Sequence, residues 1–186
     1  MPIAINGSGT VTGISVGGLP DGIVDTDMIA ANAVTAPKRG AGAILQVVTA
    51  TTTNEASTSS SSFVDTNVTA SITPSATSSK ILVLIDAPFH CIRNPGTSNS
   101  FSIKVLRDST EITDAITDEG SHQSGIGSGS VSSNRSVGII NKIILDSPSS
   151  TSSLTYKLQM GGAFTNNTVH FQDGSESHIT LMEVAG

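Results

Sequence analysis

The stretch SLTYKLQM, residues 153–160, decides the fold. Leu154, Tyr156, Leu158 and Met160 alternate with Thr155, Lys157 and Gln159, so the apolar side chains recur at every second position. Successive side chains of a strand point to opposite faces, and this period predicts a strand with one face buried and one face wet. Further back, KILVLI (residues 80–85) has no polar partner in its alternation. Both of its faces are apolar, which predicts a strand covered on two sides, by a second sheet and by a neighbouring subunit.

The same texture runs through residues 44–186. Short β-type runs at 44–50, 62–73, 80–90, 100–107, 136–146, 153–160, 168–172 and 178–184 are separated by clusters of Ser, Thr, Asn, Gly and Pro. About eight such strands with polar turns and no long helix predict a mainly β chain, an antiparallel β-sandwich or jelly-roll head. About 140 residues suffice to bury a core of their own.

The N-terminal part differs. Residues 1–24 mix small apolar residues with Gly, Ser and Thr and read as an extended arm broken by turns at Asn6-Gly7, Gly17-Gly18 and Asp21-Gly22. Residues 25–43 read as a short helical stalk and linker: Asp25, Thr26 or Asp27 can cap a helix that Pro37 ends. A helix of about ten residues is marginal alone, so Ile23, Met28, Ile29 and Val34 are expected to pack against something, sister copies of the chain being one answer.

Composition narrows the function. Nine basic residues against fifteen acidic ones, for a net charge of −6, supply no footprint for phosphate backbones or anionic lipid. A nucleic-acid partner is not expected. No apolar run approaches the roughly 20 residues of a membrane helix, so membrane insertion is not expected either. Cys91 is the only cysteine, which excludes an intrachain disulfide, and the start MPIAINGSG lacks the basic and apolar regions of a signal peptide.

Site chemistry is sparse. GIGSG at 125–129 has its glycines at the wrong spacing for a nucleophile elbow or a dinucleotide loop, and no catalytic residues are assigned. His90, His122, His170 and His178 form no HxH or HxxxH pattern. His170 and Gln172 share a strand face by parity, but no metal or other cofactor is expected. Asp25 and Asp27 read as helix caps rather than calcium ligands, and Cys91 as a small buried hydrophobe rather than a reactive thiolate. The candidate contact surfaces are two polar segments, Arg93 to Asn99 (with Arg93 and Asn94) and Glu119 to Arg135 (with His122, Gln123, Asn134 and Arg135), because recognition concentrates in loops on rigid scaffolds. With one tyrosine and no tryptophan, a glycan would have to be held by hydrogen bonds rather than stacking.

INGSGTVTGISVGGLPDG (5–22) followed by DTDMIAANAVTAPK (25–38) resembles the N-terminal stalk segments of bacteriophage fibre proteins, especially those of cyanophages and other marine phages. ILQVV (44–48), SSSFVDTNVTASITPSATSSKILVLI (60–85) and the closing HITLMEVAG (178–186) resemble the head domain that follows such stalks. The resemblance implies a homotrimeric virion protein, made in the host cytoplasm. Its arm grips another virion protein, its β head is displayed toward a host-surface receptor or glycan, and Ile23, Met28, Ile29 and Val34 face a three-fold axis. A single stalk unit fits a short tail fibre or baseplate appendage. The alternatives are a capsid decoration, cement or head-fibre protein and, from a different class, a β-rich capsule-degrading enzyme.

Overall fold

The computed structural model describes Val34 and residues 38–93, 101–112, 116–117, 134–162 and 167–186. The chain divides into two units, Met1–Arg39 and Gly40–Gly186. Of the first, the described residues are Val34, 47% exposed, and Lys38 and Arg39; the Arg39 side chain donates to the Val34 carbonyl at 3.4 Å. Ile23, Met28 and Ile29, and the helix expected there, lie outside the described residues.

The second unit is mainly β and antiparallel. Its strands are β1 (Ile44–Thr52), β2 (Ala56–Thr58), β3 (Val64–Ile72), β4 (Lys80–Arg93), β5 (Phe101–Arg107), β6 (Thr110–Glu111), β7 (Ile116–Thr117), β8 (Asn134–Asp146), β9 (Leu154–Gly162), β10 (Asn167–Phe171) and β11 (Ser177–Val184). One sheet runs β1–β11–β4–β10–β2, with β8 on the other edge of β4; the second runs β3–β9–β5–β6, with β7 also on β5.

Three pairs of short strands lie end to end. β11 takes residues 80–86 of β4 and β10 takes residues 89–93; β1 and β2 follow them, and β6 and β7 share one edge of β5. Counted as columns in chain order, the sheets read 1-8-3-6 and 2-7-4-5, the order of a double-sheet jelly roll.

The core lies between the sheets. In β9, Leu154, Tyr156, Leu158 and Met160 are buried, as their alternation requires, and Ile81, Val83 and Ile85 of β4 meet them from the other sheet. Phe101 packs on Phe89 with ring centroids 4.7 Å apart and meets Phe171 edge-on at 6.0 Å, a geometry that suits the ring quadrupoles. Pro88 sits inside β4 without breaking it. Its carbonyl accepts from Gln172 N at 3.4 Å, on the side where β11 has ended and β10 begins, so its missing N–H falls in a gap of the ladder.

Polar groups clamp the sandwich at one end. The Arg107 guanidinium on β5 donates to both Asp146 carboxylate oxygens at 2.7 and 2.6 Å, and the Tyr156 hydroxyl donates to Asp146 at 2.7 Å. These bonds join the two sheets. The hydrogen bond to Asp146 holds Arg107 more firmly protonated, while burial and then the same carboxylate push the Tyr156 hydroxyl above the ordinary phenol range.

Candidate assembly and recognition surfaces

The strand ends converge on one pole of the head. Arg93, the last residue of β4, pairs with Asn134, the first of β8, and with Asn167, the first of β10; Phe101 pairs with Gly162 and Ser102 with Thr117. The described residues that flank 94–100, 118–133 and 163–166 therefore all lie at this pole. Arg93, Asn134 and Arg135, expected in loops, lie on strands, because the β4–β8 ladder continues to their positions. Asn94, His122 and Gln123 lie outside the described residues. Arg93 and Asn134, one from each contact segment, are register partners.

Below that pole, on the outward side of the β4 sheet, two histidines stack. His90 and His170 are register partners whose rings lie 4.4 Å apart and 11° from parallel. His90 Nδ1 is 3.4 Å from Asp173 and His170 Nδ1 is 2.6 Å from Glu55, so each imidazole is tied to a carboxylate on a neighbouring connection. Gln172 does not share their face. β10 ends at Phe171, Gln172 takes a φ of +60°, and its buried amide donates to Ser177 at 2.8 Å. Among the described residues, no group of three or more His, Cys, Asp or Glu could hold a metal ion. Cys91 is fully buried, and burial pushes its thiol up to about 11, which suits a packing residue rather than a nucleophile.

The described carboxylates with shifted pKa values serve the fold. Glu183 is buried; its Oε1 accepts from Ser75 N, Ser75 Oγ and Ser79 Oγ, each at 2.7 Å, and its Oε2 accepts from Gln46 at 2.6 Å. Burial alone would raise its pKa, but the hydrogen bonds outweigh burial and hold the carboxyl below its ordinary range. Asp65, paired with Gln159 and Lys157, is lowered in the same way.

One surface among the described residues is apolar and serves none of these contacts. Among the described side chains of β8, those facing outward are Val137, Ile139, Asn141, Ile143 and Leu145, and the four aliphatic ones are 64, 57, 75 and 55% exposed. Their cross-strand partners on β4 are His90, Pro88, Asp86, Leu84 and Leu82, and Thr180 and Met182 of β11 continue the two lower rows. Leu82 and Leu84 are the outward half of the KILVLI run. The inner half meets the second sheet, whereas the outer half is only partly buried. Among the described residues, no helix is long and apolar enough to cross a membrane.

Comparisons with known proteins add little to this geometry. No protein-family model matches the chain, and no curated protein sequence matches it. Among solved structures it is similar to a chain of the T13 IBDV viral particle, at 11% identity and a TM-score of 0.34. It is similar at the same TM-score, with 9% identity, to dimeric latent PorU from Porphyromonas gingivalis. The matches cover 76 and 78% of this chain but 36 and 14% of those chains, and at that TM-score they carry no functional argument.

Proposed function

We propose that the protein is a phage virion structural protein, a short homotrimeric fibre whose jelly-roll head is displayed outward from the particle. One observation carries the reading: an otherwise well-packed head presents to solvent along β8 an aliphatic row, Val137, Ile139, Ile143 and Leu145, interrupted by Asn141. Contiguous apolar patches of this kind on a soluble domain mark contact surfaces, and an assembly protein is where such contacts belong. The stalk-like sequence at 5–38 supports the same reading, since its apolar residues are explained by sister chains around an axis. The pole that anchors 94–100, 118–133 and 163–166 is the surface offered to a host receptor or glycan.

Imaging of particles carrying a labelled copy of the protein tests the assignment. Density at the tail or baseplate is expected. Label on the shell would replace the fibre reading with a capsid decoration or cement protein, and particles without label would refute a virion role. For the arm, replacing Ile29 and Val34 by Asp is expected to weaken assembly while the head stays folded, because charge on an apolar inter-chain face loses solvation.

A further inference from the structure

The outward row of β8 has a use that can be specified. Edge pairing does not satisfy it: a strand added beside β8 would extend the sheet and leave Val137, Ile139, Ile143 and Leu145 on the same open face. Lys142 moreover interrupts the inward side of this edge strand, a common device against edge-to-edge association. The row is covered only by something laid across the face.

Three features select a copy of the same chain as that occupant. First, charge: the protein carries −6 and repels its own copies, yet the outer row of β8 from Val137 to Leu145 holds no charged residue, and the Asp86 beside it has a histidine, His178, as its register partner on β11. Second, pattern: aliphatic residues flank Asn141 at 137, 139, 143 and 145, so rows of β8 running parallel around a common axis set each aliphatic residue on its own counterpart, with one polar layer at Asn141. Third, area: the nine residues Val137 to Leu145 of β8, with β4 and then the β11 and β10 column beside it, span about 31 by 14 Å, or about 430 Å² in projection. Side-chain relief adds to that, and about 800 Å² per partner is typical of stable complexes.

We infer that the outer row of β8 is the seam at which copies of this chain meet, their rows aligned in parallel around a common axis, with Asn141 as a register-setting polar layer. The inference rests on the homotrimer reading above and names the surface on the head that builds it. A buried Asn in an otherwise apolar seam favours alignments in which it meets its counterpart, at some cost in stability.

The test is the solution mass of the full chain and of Ile143→Asp. Ile143 is 75% exposed within its own chain, so an aspartate there leaves the isolated fold intact. The wild type is expected to assemble, and the variant to dissociate with its β-type circular dichroism unchanged, the midpoint concentration rising about thirtyfold or more. A wild-type assembly matched by an equally assembled Ile143→Asp would overturn the seam while leaving the homotrimer standing, and dissociation by the Ile29 and Val34 variant alone would then assign assembly to the arm. A monomeric wild type would overturn the homotrimer reading itself. Should Ile143→Asp fail to fold, Ile143→Cys decides: with Cys91 buried, the introduced thiol is the reactive one, and mild oxidation is expected to give disulfide-linked pairs. Absence of cross-linking in a folded, assembled Ile143→Cys protein contradicts the seam.

Discussion

Replacing Glu183 by Gln probes the most connected carboxylate of the head. The wild-type side chain is 1% exposed and gathers four hydrogen bonds, from Ser75, Ser79 and Gln46, which tie β11 to β1 and to the β3–β4 connection. A glutamine keeps one acceptor oxygen but sets an N–H₂ against the Gln46 amide, which is itself held by donating to Thr73 O at 2.7 Å. Losing one charge-assisted bond and weakening the others costs about 2–3 kcal/mol. For a unit of this size that lowers Tm by about 5–10 °C, at roughly 2–4 °C per kcal/mol. Since the folded pKa of Glu183 is depressed, its contribution is fully present above the unfolded carboxylate value of about 4.3 and is lost as pH falls through the lower folded value. Thermal melts of both proteins between pH 7 and pH 3 should therefore show a gap that narrows below about pH 4. A gap that stays constant down to acid unfolding, or no gap at pH 7, refutes the reasoning.

Two further substitutions probe the core. Gly138 lies opposite Phe89 in the β4–β8 ladder, and a Cβ there would come within 2.7 Å of the Phe89 ring. Gly138→Ala is expected to cost about 1–3 kcal/mol through overpacking, read as a lower urea midpoint with an unchanged slope. Tyr156→Phe keeps the ring in the core but removes the bond to Asp146, with an expected loss of about 1–2 kcal/mol by the same assay.

Legibility followed periodicity. The alternation in β9 and the double apolar face of β4 are local patterns, and the structure shows strands at all eight runs read from the sequence. β2, β6 and β7 are two or three residues long, too short to carry a period, and they exist because β10 and β5 present open edges to them. The stacked histidines needed the β4–β10 register, which no local signal gives. Glu183 did leave a trace: in HITLMEV it falls on the inward parity of Ile179 and Leu181, where a carboxylate demands partners, although Ser75, Ser79 and Gln46 could be named only from the fold. The outer row of β8 was likewise half visible, since SVGIINKIILD has apolar residues of both parities, but only the topology shows which parity faces out.

On the proposed reading, this head meets copies of itself. Light scattering on the full chain at micromolar concentration measures it most directly. A mass near 57 kDa, about three times the 18.9 kDa chain, is expected. A stable species near 19 kDa, with its β fold intact, would contradict it.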